Sequence, residues 1–176
     1  MKKIGIALAI IIIIVLVVVG VVFLNKQPEQ TSSTENAEIQ ETSTPAEDVY
    51  TFKSGETIIP LGAEYSSLNL GEAKDYYEVQ SCAFDGMDKI YTFDHYEVHT
   101  YPDAGTDKVL SVYFLDDQVT TTDGVKIGDS IDTMTEKYGS DYEQLDTQYT
   151  YSKGQTQLKF IVENNIITSI EYNFNV

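Results

Sequence analysis

His95 and His99 are the only histidines of the chain, and Glu97 lies between them. Imidazole and carboxylate both bind zinc, but a zinc site takes three or four ligands in good geometry. His95 is expected in a turn with Asp94, and His99 on the outward face of a strand with Glu97 and Tyr101. The set therefore reads as a polar strand face, and no metal is expected. Asp116-Asp117 reads as a turn after a strand, because the alternating Asp/Asn ligands and closing Glu of a calcium loop are missing. Cys82 is the only cysteine, which excludes an intramolecular disulfide. Within Ser81-Cys82-Ala83-Phe84, with neither histidine placed beside it by the sequence, it is expected to be a small buried side chain rather than a nucleophile.

No serine sits in a Gly-x-Ser-x-Gly elbow, and no glycine-rich phosphate loop follows a strand. Acids are everywhere, but their spacing singles out no catalytic pair. The thirteen tyrosines are the most distinctive feature of the composition. Most fit inward positions of a sheet. Tyr101 and Tyr113 are expected outward, as rigid amphipathic contact points of an interface. The chemistry on offer is recognition, with no cofactor.

These residues have to be positioned by a sheet. Asp129 or Ser130 can cap a helix whose apolar face is Ile131, Met134 and Tyr138, and Gly139 suits its C-terminus. Tyr149–Tyr151, Thr156–Val162 and Ile166–Phe174 read as three strands, turning at Lys153-Gly154 and Asn164-Asn165. The same pattern lies upstream. Val109–Phe114 recurs as Ile167–Tyr172 at a spacing of fifty-eight, with Tyr91-Thr92-Phe93 on Tyr149-Thr150-Tyr151. Ile59-Pro60-Leu61-Gly62 echoes Val125-Lys126-Ile127-Gly128 at sixty-six. The first copy is assigned strands near Lys89–Phe93, Tyr96–Tyr101 and Lys108–Phe114, a looser turn at Pro102–Asp107, and a helix around Ala63–Leu70. An insertion between Gly71 and Tyr91 accounts for the eight-residue difference.

The expected class is α+β: two tandem helix-plus-three-strand-meander repeats, about 58–120 and 124–176. Together they form one antiparallel sheet with helices on one face. The covered face carries Val98, Leu110, Val112, Phe114, Leu158, Phe160 and Ile170. The open face displays Glu97, His99, Tyr101, Val109, Ser111 and Tyr113, then Gln157, Lys159, Ile161, Ile167, Ser169 and Glu171. Glu97, His99, Tyr101, Tyr113, Lys159 and Glu171 are the candidate binding residues.

Val125-Lys126-Ile127-Gly128-Asp129-Ser130 through Lys137-Tyr138-Gly139 resembles the β-lactamase-inhibitor-protein-like fold, whose unit also occurs singly in small lipoproteins of outer-membrane assembly. Ser81 through Phe93 is similar to uncharacterised membrane-anchored exterior proteins of Gram-positive bacteria. Such folds generally bind proteins through the open sheet face, so the resemblance implies binding.

Ile4–Leu24 is twenty-one residues without a charged or polar side chain, behind Lys2 and Lys3. As a helix it spans roughly 32 Å, the hydrocarbon thickness of a bilayer. It lacks an Ala-x-Ala cleavage site, and residues 1–30 hold no lipid-accepting cysteine, so an uncleaved anchor is expected. The positive-inside rule then leaves residues 1–3 in the cytoplasm and places the C-terminal body outside the cell membrane, as a single-pass protein. Residues 25–48 are polar and acidic, with Ile39 the one large apolar residue, and read as a disordered stalk. The body, 49–176, carries 22 acids against 8 lysines, a net charge of −14. That excludes nucleic acid as a partner. All basic residues are lysine, and Ile, Asn and Tyr abound, a bias typical of AT-rich, low-GC Gram-positive genomes. The expected function is a membrane-anchored, extracytoplasmic, non-catalytic binding module for a protein or cell-envelope ligand. The alternative is a wall-active hydrolase, or its accessory subunit, using surface carboxylates.

Overall fold

A computed structural model describes residues 48–176. The expected anchor at 4–24 and all of the stalk but Asp48 lie outside the described residues. Among those described, no helix is long and apolar enough to cross a membrane.

Among the described residues, ten strands and a single α-helix follow one another. They are β1 (Thr51–Ser54), β2 (Thr57–Pro60), β3 (Asp75–Gln80), β4 (Met87–Thr92), β5 (Tyr96–Asp103), β6 (Thr106–Phe114), α1 (Ile131–Tyr138), β7 (Glu143–Leu145), β8 (Gln148–Lys153), β9 (Thr156–Glu163) and β10 (Ile166–Phe174). β1 and β2 form a separate hairpin. The other eight make one sheet in the order β3-β4-β5-β6-β10-β9-β8-β7, each neighbouring pair antiparallel. The fold is thus mostly β, and the expected α+β class with helices on one face is wrong. Ala63–Leu70 yields only a three-residue 3-10 turn, Tyr65–Ser67. Strands β3 and β7 were not foreseen, so each meander has four strands rather than three.

One face of the sheet is closed by the β1–β2 hairpin, by the chain around Val119 and Val125, and by α1. Phe52 and Ile59 of the hairpin are fully buried, and Phe52 packs edge-on against Phe114 and Tyr172 with ring centres 5.6 and 6.0 Å apart. Over the other half, α1 inserts Met134, also fully buried, with Ile131 and Tyr138 beside it. Ser130 caps the helix by accepting the Thr133 N–H at 3.2 Å, and Gly139 ends it at φ 81°. A short hairpin therefore does, over the first meander, what a helix does over the second.

The two spacings seen in the sequence recur as hydrogen bonds. Gly62 donates its N–H to Val109 O at 2.8 Å and Gly128 to Ile167 O at 2.9 Å; Val109 N–H returns to Ala63 O and Ile167 N–H to Asp129 O. In both places a glycine-ended segment is strapped to a strand beside a bulge, where β6 has Leu110 and β10 has Thr168 as the extra residue. The correspondence continues beyond the bulges. Tyr91 pairs with Val98 and Val98 with Val112, just as Tyr149 pairs with Phe160 and Phe160 with Ile170. Tyr91 therefore matches Tyr149, at the same spacing of fifty-eight. The Pro102–Asp107 turn is also tighter than expected, a two-residue connection with Ala104 and Gly105 at φ 48° and 86°.

A polar cluster at the centre of the open sheet face

Alternation along β5, β6, β10 and β9 brings five of the six candidate residues together. Register sets them in one row across the sheet, from Thr92 through Glu97, Tyr113, Glu171 and Lys159 to Thr150. His99 lies in the next row, opposite Ser111, and its ring stands 4.7 Å from that of Tyr113. Directly opposed side chains on a sheet lie close enough to interact, and here they do. Thr92 Oγ1 donates to Glu97 Oε1 at 2.9 Å, and His99 Nε2 is 3.4 Å from Glu97 Oε2. Asn173 Nδ2 donates to Glu171 Oε1 at 3.1 Å, while Lys159 Nζ approaches Glu171 Oε2 at 4.0 Å.

The side chains of Glu171, Lys159, Glu97 and His99 keep 15, 22, 25 and 27% of their exposure, so they pack side by side rather than extend into solvent. Tyr113 sits half-buried among them. Burial first, and the neighbouring Glu171 carboxylate second, push its hydroxyl up to about 12. It is therefore a neutral donor over the whole physiological range. Two carboxylates and an aromatic face against one lysine make the cluster an acceptor-rich surface, suited to ligand ammonium and N–H groups.

Tyr101, the sixth candidate, does not belong. It points to the open side but is 4% exposed, because the Ser81–Gly86 loop folds Phe84 over it with ring centres 4.9 Å apart. The same loop leaves Cys82 exposed, against the expectation of a buried side chain. Val109 and Ile167 were placed on the open face, yet both are fully buried; Leu110, placed in the core, is only partly so. The two bulges explain this, since one extra residue reverses the alternation beyond it. Ser111 does face the open side but lies buried under its neighbours.

The two histidines have separate partners. His95 Nδ1 is 2.8 Å from Asp116 Oδ2, and that contact, with the Gln118 N–H, holds the Asp116 carboxyl below its usual range. Among the described residues no group of three or more His, Cys, Asp or Glu is arranged to hold a metal ion. Three recesses, of about 370, 280 and 410 Å³, lie away from the cluster, and none is lined by any of its residues. No protein-family model, curated protein or solved structure matches this chain, and nothing in those comparisons identifies a β-lactamase-inhibitor-protein-like domain.

Proposed function

We propose that this chain is a non-catalytic binding module, held at the cell membrane by its N-terminal segment and displayed outside the cell. Its ligand is a protein or a cell-envelope component, engaged through the open face of the sheet. The observation that carries the reading is the row Glu97, Tyr113, Glu171 and Lys159. It is a pre-packed set of two carboxylates and one lysine around a rigid aromatic, on the sheet face outside the part that the Ser81–Gly86 loop covers at Tyr101. Pre-ordered aromatic and charged groups at the centre of a surface are where binding energy concentrates.

The test uses the tagged full-length chain as bait in an envelope extract, with Tyr113→Ala and the double substitution Glu97→Gln, Glu171→Gln as comparisons. Capture of a ligand that both variants lose is the expected result; equal capture by all three would move the site elsewhere. Protease added to intact protoplasts tests the placement, since it should remove the C-terminal body. Full protection would reverse it.

A further inference from the structure

We propose that β3 receives an extended peptide, which adds antiparallel to the edge of the sheet and sets a lysine opposite Glu78. This names a partner class for the binding module and rests on that reading, but it uses backbone groups outside the polar cluster.

β3 is the outermost strand at one end of the eight-stranded sheet, and all six of its residues are exposed. Natural sheet edges are usually blunted by short length, proline, a bulge or charged side chains, lysine above all, and the only charges on β3 are Asp75 and Glu78. The opposite edge, β7, has only three residues. β3 has six, with neither proline nor lysine, and pairs with β4 without interruption. Its free side follows from its paired side. Ser81 donates its N–H to Gly86 O across the hairpin, and antiparallel pairs alternate in hydrogen bonding. Tyr77 and Val79 therefore turn their backbone groups toward β4, while Tyr76, Glu78 and Gln80 turn theirs outward. In keeping with this, the Tyr76 N–H is bonded to the Asp75 carboxylate.

An added strand would exchange N–H and C=O bonds with these outward groups, as in strand-addition recognition. Its residue opposite Glu78 shares the face of Glu78 and meets the recess of about 370 Å³, which Asp85, Met87 and Pro102 also line. The two flanking residues lie beside Tyr77 and Val79, 50% and 46% exposed, on the open face. Charge selects the occupant. Asp75, Glu78, Asp85 and Asp88 have no lysine partner among the described residues, and Asp88 Oδ1 is buried without a hydrogen-bond partner. Lys89, the lysine on β4, is already taken by Asp107 at 2.6 Å. The chemistry thus asks for an apolar–lysine–apolar strand. A second copy would instead set one acidic edge against another.

The probe is fluorescein-labelled Thr-Val-Lys-Val-Thr-Lys amide, titrated by anisotropy against the full-length chain in detergent micelles, beside the same peptide with both lysines changed to glutamate. The lysine peptide should saturate, and the glutamate peptide should bind at least tenfold more weakly. Glu78→Gln should reduce that preference at least threefold. Glu78→Pro, which removes an outward N–H that β4 does not use, should abolish binding of both. Equal binding of the two peptides, no binding, or binding that survives Glu78→Pro would overturn the proposal. So would a dimer, seen by light scattering, that Glu78→Pro dissolves. Circular dichroism checks each variant; should Glu78→Pro unfold, the charge preference of Glu78→Gln decides alone. If the peptide arm fails while Tyr113→Ala still loses the envelope ligand, the sheet-face reading stands without the edge.

Discussion

Tyr113 and Tyr101 lie on neighbouring strands and point to the same side of the sheet, yet substitution should separate them. Tyr113 is flanked by Glu97, Glu171 and His99 on a surface open to a partner. Tyr113→Ala should weaken ligand capture by about 1–2 kcal/mol or more and leave the thermal midpoint close to that of the parent. Tyr101 is 4% exposed beneath Phe84. Tyr101→Ala should cost about 3 kcal/mol of stability, read by denaturant melting, with affinity per folded molecule unchanged. An equal loss of affinity in both variants would mean that the Ser81–Gly86 loop is itself part of the contact.

The elements that hold the cluster depend on their ends. Gly62 and Gly128 donate matching hydrogen bonds to β6 and β10, and both have positive φ, 76° and 95°. Any side chain there bears the left-handed penalty of about 1–2 kcal/mol. Only at Gly62 would a new Cβ also run into a ring, 2.8 Å from Phe174, whereas nothing lies within 4 Å at Gly128. Gly62→Ala should therefore lower the melting midpoint clearly more than Gly128→Ala does, and equal shifts would contradict the strap geometry. At α1, Ser130→Ala removes the one side-chain acceptor for the Thr133 N–H and should cost about 1 kcal/mol in urea unfolding. Ser130→Asp should restore most of it.

For the whole molecule, tyrosine burial sets an alkaline limit. Tyr50, Tyr65, Tyr113 and Tyr151 are each pushed from 10.0 up to about 12, in every case first by burial. The folded chain holds these protons more tightly than the unfolded chain does. Their contribution to stability is therefore complete below pH 10 and is lost as pH rises through 10 to about 12. Tyrosinate absorbance should rise in two stages, the second coinciding with loss of the strand signal in circular dichroism. A single ionisation near pH 10 with the fold intact would refute the burial argument. Six of the eight described lysines already have carboxylate partners, so the excess negative charge is uncompensated. A cationic partner should accordingly bind more weakly as salt rises.

The sequence alone determined what depends on local pattern. Alternation placed six of the strands, the Ser130 cap and Gly139 bounded the helix, and Asn164-Asn165 marked a turn in which both residues have positive φ. The spacings of sixty-six between Gly62 and Gly128 and of fifty-eight between Val109 and Ile167 corresponded to matching hydrogen bonds, because a glycine that must take positive φ beside a strand leaves a trace in sequence. Everything that required a partner was decided in three dimensions. Ala63–Leu70 makes one 3-10 turn because the β1–β2 hairpin already fills the apolar space above the first meander, with Phe52 and Ile59 in place of a helix. Bulges at Leu110 and Thr168 moved Val109 and Ile167 into the core, since one inserted residue reverses every side chain beyond it and no local composition announces the insertion. The row from Glu97 to Lys159 arises only when β6 and β10, fifty-two residues apart from end to start, pair at the middle of the sheet. That pairing is set by the burial of Val112, Phe114, Ile170 and Tyr172 together, a cooperative property of the core that no single segment carries.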